Sequence, residues 1–183
     1  MGPDCETQPL SEPSLTSHLA FAVMLSAQPI ARIVRIPIFK IHYVCIARRN
    51  HAALRRPQQS LAEFAALPHL AISPRGEPTS HVDELLAESG VRRNTVLTIP
   101  HFLAAPLIVA RTDLVAIIDV SIARLFTTDK RLRIFELPVK LRPITTDLLM
   151  AGARKDEAAL NWLRRQCVEV CSLDELVPAR RDG

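Results

Sequence analysis

The sequence predicts an α/β domain whose helices cover both faces of a parallel or mixed sheet. From residue 60 to residue 171, apolar runs of strand length alternate with segments whose apolar residues recur at helical spacing. Capping residues, prolines and glycines stand between these segments. Of the 183 residues, 48% are hydrophobic and only 4% are aromatic, so we expect a core built from aliphatic side chains.

The first part of the chain predicts a leader followed by strands. Residues 1–17 are rich in proline, serine, threonine and glutamate and have no periodicity, which predicts a disordered leader. The apolar run at residues 19–25 predicts a buried strand. Residues 33–47, interrupted by Pro37, predict one long strand or two short ones, and residues 51–60 form a polar link.

Capping residues predict where helices begin and end in the rest of the chain. Ser60, with Glu63 three residues later, predicts the start of a helix that Pro68 stops. Ser80 predicts the start of a second helix, which Gly90 ends. The other predicted elements are strands at residues 69–72, 95–99, 114–118, 132–137 and 144–150, and helices at residues 102–110, 121–126 and 156–171.

Two polar segments, residues 73–79 and 98–102, follow consecutive predicted strands and precede predicted helices. We therefore expect both segments at one edge of the sheet, where side chains and free helix N–H groups form a small-molecule site. The candidate ligand-binding residues are Ser73, Arg75, Thr79, His101 and Phe102.

Each candidate also has an ordinary structural explanation. His101 is either a hydrogen-bonding group for a ligand or a surface or core histidine. Phe102 is either the apolar wall of a pocket or a core residue, and Arg75 is either a charge for an anionic ligand or a solvent-exposed arginine. Thr79 lies near a helix start, where hydroxyls cap N–H groups, and Ser73 is the weaker candidate.

No residue pattern indicates catalysis, a cofactor or a metal site. The motifs of serine hydrolases, P-loop proteins and zinc metalloproteases are absent, as is a set of acid, base and nucleophile. The histidines at positions 18, 42, 51 and 69 have no spacing typical of metal ligands. The four cysteines, at positions 5, 45, 167 and 171, are expected to be buried or half-buried free thiols.

Charge and hydropathy restrict the partners. The net charge is +4, and the arginine pairs at positions 48–49, 55–56, 92–93 and 164–165 are dispersed along the chain, which predicts solvated faces rather than a nucleic-acid footprint. No apolar run is long enough to span a bilayer. Acidic residues precede the run at residues 19–25, where a secretory signal has basic ones, so we expect a cytoplasmic protein without membrane contact.

Five segments in order resemble the effector-binding domain of LysR-type transcriptional regulators. They are residues 64–69, 73–76, 82–86, 98–102 and 161–164. Residues 37–54 resemble the family's crossover between lobes, and the resemblance runs from about residue 19 to about residue 171. It implies part of a type II periplasmic-binding-protein-like fold, with one nearly complete lobe and part of the other. Residues 18–173 form this partial domain, with 38–137 in the second lobe, 18–37 and 138–173 in the first, and 174–183 as a tail.

The resemblance implies an effector-binding fragment without its own helix-turn-helix domain. It implies that His101 lies on the wall of the cleft between lobes and bonds to a small aromatic or carboxylate effector. We expect no specific DNA binding by this chain alone, and a homo-oligomer or pairing with a full-length regulator. We also expect exposed apolar surface at residues 19–25 and 144–150. The alternatives are a small cytoplasmic enzyme using the same cleft and a solute-binding protein.

Overall fold

The computed structural model describes residues 21–25, 32–55, 60–74, 76–77, 79–152 and 157–175. The predicted leader, the tail from residue 176 onward and Arg75 lie outside the described residues. The chain divides into two compact units, one of residues 41–143 and one, called the split unit, of residues 1–40 and 144–183. In the described part of the chain, no helix is long and apolar enough to cross a membrane.

Eight strands and five α-helices make up the described structure. The strands are β1 (Phe21–Leu25), β2 (Ile33–Ile41), β3 (Tyr43–Arg48), β4 (Pro68–Ile72), β5 (Asn94–Ile99), β6 (Val115–Asp119), β7 (Leu132–Phe135) and β8 (Ile144–Ala151). The helices are α1 (Leu61–Ala66), α2 (His81–Glu88), α3 (Ala104–Val109), α4 (Val120–Arg124) and α5 (Ala158–Glu175), and a 3₁₀ helix covers Ala52–Arg55.

The 41–143 unit contains a mixed five-stranded sheet in the order β5-β4-β6-β3-β7. Strand β4 runs parallel to both β5 and β6, whereas β3 runs antiparallel to β6 and β7. Tyr43 at the start of β3 stands opposite Asp119 at the end of β6. The sheet is therefore of the mixed kind that the sequence predicted.

Helices cover both faces of this sheet, as predicted. One face buries Ile46 against α3 and α4, where Val109 is fully buried. The other face buries Cys45 with Phe64 of α1 and Leu86 of α2. Because neighbouring strand residues point to opposite faces, consecutive residues of β3 supply the two cores.

Most predicted boundaries hold to within a few residues. The segment 33–47 forms two strands, β2 and β3, and Pro37 lies in β2 at an edge of its sheet, where a missing N–H group removes no ladder bond. Gly90 follows α2 with φ +71°, the left-handed conformation expected of a residue just after a helix. The polar link contained a short 3₁₀ helix that the sequence did not reveal.

The split unit contains a three-stranded sheet in the order β1-β8-β2. Val23 of β1 is 56% exposed, which agrees with the exposed apolar surface expected for the run at residues 19–25 and contradicts, at this residue, the buried strand predicted there. The same expectation for residues 144–150 is wrong, because Leu148 and its neighbours in β8 are buried in the central strand. Arg35 of β2 donates to Asp147 of β8, with Nη2 2.7 Å from Oδ2.

A buried histidine anchors the short helix α1 to the sheet. The Nε2 of His69 donates to the carbonyl oxygen of Phe64 at 2.9 Å, and the two rings meet edge to face with centroids 5.0 Å apart. Burial lowers the pKa of His69 to about 4, outweighing the hydrogen bond to Phe64, which acts to raise it. His69 is therefore neutral in the folded protein at neutral pH. It packs in the core against Phe64, a role that its sequence pattern did not predict.

We expect His69 to make stability depend on pH between about 6.5 and 4. The unfolded chain binds a proton on this side chain in that range and the folded chain does not, so stability falls as the pH falls, by roughly 3 kcal/mol in all. Urea unfolding at several pH values will measure this. His69→Gln should remove that part of the slope, and the exposed-histidine control His42→Gln should keep it. Parallel profiles for the wild type and His69→Gln would contradict the assignment.

Candidate ligand-binding edge

One edge of the five-stranded sheet gathers the ends of β4, β5 and β6, and β7 runs in the same direction as these three strands. Strands β4, β5 and β6 all end there, and β3, which runs in the opposite direction, begins there. We call this the C-terminal edge: residues 73–80, 100–103 and 119–121, together with His42 before β3. Parallel α/β sheets bind ligands beyond the carboxyl ends of their strands.

A backbone hydrogen bond joins the two loops that the sequence singled out. The N–H of Ser73, just after β4, donates to the carbonyl oxygen of Ile99 at 2.9 Å. Ser73 is buried, and the N–H of Gly76 donates to its carbonyl oxygen at 2.9 Å. Gly76 has φ +72°, a conformation that other residues rarely adopt. The predicted proximity of the two loops is therefore present in the fold.

His101 and Phe102 stand at the surface of the second loop. Both are exposed, Phe102 by 44%, so its ring is not a core residue. Their carbonyl oxygens accept from the N–H groups of Ala104 and Ala105, each at 3.2 Å. These bonds hold the turn that begins α3 and leave an imidazole and an aromatic ring adjacent at the edge.

The first loop leads into α2 through a charged cluster. Thr79 is exposed, and the next residue, Ser80, donates its N–H to Oδ2 of Asp83 at 2.7 Å. The side chain of Arg93 is 1% exposed, and it donates to Oδ1 of Asp83 at 2.7 Å and to Oγ of Ser80 at 2.8 Å. Arg93 thus fixes the start of α2, next to the candidate loop.

The prediction that Arg92 and Arg93 form a solvated pair is wrong for Arg93. Its neighbour Arg92 is exposed, whereas Arg93 is buried by partners ten and thirteen residues earlier. The acid three residues after Ser80 signalled a helix start, but no local pattern links that acid to Arg93. The pairing depends on the path of the chain through α2.

Carboxylates already occupy two helix starts at this edge. Desolvation acts to raise the pKa of Asp83, but hydrogen bonds and the charge of Arg93 hold it below its usual value, so the group is ionised. Oδ1 of Asp119 accepts from the N–H of Ser121 at 2.7 Å at the start of α4. The helix N–H groups at the starts of α2 and α4 are therefore not free to hold an anion, since a carboxylate already lies at each of these two helix ends.

Two further groups at this edge lay outside the sequence-based candidates. His42 is exposed, and its carbonyl oxygen accepts from the N–H of Val120 at 2.8 Å. Burial, followed by the nearby charge of Asp119, raises the pKa of Tyr43 to about 12. Tyr43 therefore keeps its proton at neutral pH.

In the part of the chain that the structure describes, no cluster of three or more histidine, cysteine or acidic side chains is arranged to hold a metal ion. Cys45, Cys167 and Cys171 form no disulfide. Cys45 is buried, and burial raises the pKa of its thiol. The other two are half-buried, as the sequence led us to expect.

Replacing Arg93 should unfold the start of α2 more readily than replacing its exposed neighbour. Arg93→Met leaves Asp83 without its cation, and we expect a loss of about 2 kcal/mol or more in the free energy of unfolding. The loss for Arg93→Lys should lie between that of Arg93→Met and zero, because an ammonium group lacks the planar fork that reaches Ser80 and Asp83 together. Urea unfolding gives the values. Equal losses for Arg93→Met and the control Arg92→Met would show that the cluster contributes nothing.

Comparison with known proteins identifies the domain. Residues 9–172 match the family model of the LysR substrate binding domain. The HTH-type transcriptional activator NahR of Pseudomonas putida is 31% identical over 124 residues, covering 68% of this chain and 41% of the relative. NagR of a Ralstonia species, also an HTH-type transcriptional activator, is 30% identical over 135 residues, covering 74% and 44%. The chain thus spans less than half the length of these relatives.

Solved structures agree with this assignment. The probable transcriptional regulator PA0477 of Pseudomonas aeruginosa has a TM-score of 0.76 and 28% identity, over 86% of this chain and 52% of that one. The regulatory domain of MexT, a transcriptional activator of the same organism, has a TM-score of 0.72 at 23% identity, over 86% and 76%. The fold is the type II periplasmic-binding-protein-like fold of these domains. The chain belongs to the family of LysR substrate-binding domains and is an effector-binding domain.

Proposed function

We propose that this chain senses a small aromatic or carboxylate molecule at its C-terminal edge and, within a cytoplasmic LysR-type regulator, couples that molecule to transcription. The relatives named above are transcriptional activators. Because the chain spans less than half of their length, regulation of transcription is inferred from the relatives. A regulatory role needs a second site whose affinity changes when the ligand binds.

The observation that carries the ligand proposal is the exposed pair His101 and Phe102 beside the Ser73 loop. The bond between Ser73 and Ile99 holds the two loops together without using either side chain of the pair. An imidazole bonds to a carboxylate or a phenol, and an adjacent ring packs against an aromatic face. A small aromatic acid matches both groups at once.

The carboxylates at the C-terminal edge restrict which side chains there can bind the negative charge of a ligand. Asp119 occupies the start of α4, so an anionic ligand is repelled there, whereas Arg93 balances the charge of Asp83 at the start of α2. We propose that Arg75 binds the charge of the ligand and that His101 forms a hydrogen bond with the ligand. Ser73 and Thr79 complete the proposed set.

We further propose that the 41–143 unit is the family's second lobe and that the split unit is part of the first. The enzyme and solute-receptor alternatives find no support in the relatives, which are transcriptional regulators.

Loss of the imidazole should weaken the ligand at least about tenfold. His101→Ala leaves a polar group of the bound ligand unpaired, which costs roughly 1–3 kcal/mol. Titration of the ¹⁵N-labelled chain with benzoate, phenol and acetate, followed by NMR, measures the affinities and maps the site. We expect benzoate to bind most tightly, with shifts in both loops, and the control Asn94→Ala, exposed at the start of β5 on the opposite edge, to bind as the wild type does. Shifts away from the loops, or an unchanged affinity in His101→Ala, would remove His101 from the site.

We also propose that the chain pairs with a second copy of itself, or with a full-length regulator, along β5. This strand lies at one edge of its sheet, and Val96 is 54% exposed. On the neighbouring helix α3, Leu107 is 46% exposed. An apolar edge strand is a template for strand pairing and for apolar contact.

Charges on this surface should dissociate the pair. The double variant Val96→Lys with Leu107→Lys is expected to sediment as a monomer at concentrations where the wild type is a dimer, because two ammonium groups would be buried in the contact. Leu125→Lys, at a leucine that is 69% exposed on another loop, is the control and should sediment as the wild type. A wild-type chain that stays monomeric up to its solubility limit contradicts the proposal.

A further inference from the structure

The opposite edge of the five-stranded sheet collects three polar loops. They are residues 48–51 after β3, 111–113 before β6 and 127–131 before β7, and together we call them the basic edge. The N–H of Arg49 donates to the carbonyl oxygen of Arg131 at 2.6 Å. Nε2 of His51 lies 2.9 Å from the carbonyl oxygen of Asp113. These contacts make the three loops one surface.

The basic edge concentrates positive charge that is scattered in the sequence. Its cations are Arg48, Arg49, Arg111, Lys130 and Arg131, and its carboxylates are Asp113 and Asp129. The net charge of this surface is +3 with His51 neutral. The sequence predicted solvated faces rather than a nucleic-acid footprint, because only the pair at positions 48 and 49 is contiguous and the other loops lie more than 60 residues further along the chain.

Three of the five cations form no ion pair within the described structure, although the charge of Arg111 helps to lower the pKa of Asp129. Arg48 pairs with Asp113, and Arg131 pairs with Asp129 at 2.7 Å. Arg49 donates to the carbonyl oxygen of Lys130 at 2.6 Å, and Arg111 donates to that of Leu107 at 3.2 Å. Arg49, Arg111 and Lys130 are exposed, and these bonds leave most of their donors facing solvent.

The residue composition of the basic edge indicates which class of macromolecule it binds. Every residue of the three loops is charged or polar. Thr112 and Thr127 already donate their hydroxyls to backbone carbonyl oxygens, so the donors offered are those of the arginines, Thr128 and Asn50. A protein partner is usually held by buried apolar or aromatic anchors, and single-stranded nucleic acid by exposed aromatic rings on which bases stack. The three loops contain neither, and the exposed Leu125, two residues before the third loop, is a single apolar side chain. Arginine forks and hydroxyl groups are the usual contacts of the duplex phosphate backbone.

We propose that the basic edge binds the phosphate backbone of double-stranded DNA without sequence preference. Contacts to phosphate position a protein on DNA and carry no direct sequence information. The proposal does not rest on the ligand site, which occupies the other ends of the same strands. It also agrees with the expectation that this chain alone has no specific DNA site.

The salt dependence of binding to a random-sequence duplex tests the proposal. Each phosphate contact contributes about −0.9 to the slope of log K against log salt, so three unpaired cations predict a slope of about −3, measured by fluorescence anisotropy on the full chain. The triple variant Arg49→Gln, Arg111→Gln, Lys130→Gln should bind at least about tenfold more weakly at low salt, with a slope near zero. The control Lys40→Gln, Lys140→Gln, Arg165→Gln removes the same charge from exposed positions outside this edge and should bind as the wild type does.

The outcomes separate this proposal from its rivals. Equal weakening in both triple variants would show that net charge alone drives binding and would overturn it, as would tighter binding of single-stranded DNA or of polyglutamate. An NMR titration of the wild-type chain with the duplex needs no variant. Shifts confined to residues 48–51, 111–113 and 127–131 support the proposal, and shifts confined to β5 and α3, or no binding at low salt, overturn it.

Discussion

The parallel pairing of β4 with strands on both its sides is the constraint on which the 41–143 unit depends. Parallel neighbours cannot be joined by a tight turn, so α2 must cross between β4 and β5, and α3 between β5 and β6. The first crossover leads from β4 to the edge strand β5, and the second leads from β5 past β4 to β6. Because both crossovers are right-handed, the two helices lie on opposite faces. The two cores and the shared C-terminal edge follow from this one arrangement.

Buried polar groups hold the start of α2 and the end of α1. Arg93 is inaccessible to water, yet Ser80 and Asp83 satisfy its guanidinium. His69 is also inaccessible to water, and its Nε2 donates a hydrogen bond to the carbonyl oxygen of Phe64. A buried polar group without a partner would cost more than such a bond contributes, so both residues restrict how the adjoining helices can be placed.

The sequence predicted what local signals encode. Ser60 with Glu63, and Gly90 with its left-handed backbone, mark helix ends through contacts within a few residues, and the strands followed from apolar runs. The loops of Ser73 and His101 were found because each directly follows a strand. Arg93 was missed because its partners depend on the path of the chain through α2. The basic edge was missed because the order of strands in space brings its loops together, which no short window of sequence contains.

The position of the carboxylates gives the two edges different chemistry. Asp83 and Asp119 neutralise the positive ends of α2 and α4, so an anion at the C-terminal edge is selected by individual side chains and their geometry. At the basic edge, two of five cations are matched by acids and the rest are exposed to solvent. Such unmatched charge attracts polyanions at long range and is weakened by salt. One sheet thereby offers a surface suited to a small, oriented ligand at one end and a surface suited to an extended, repeating charge at the other.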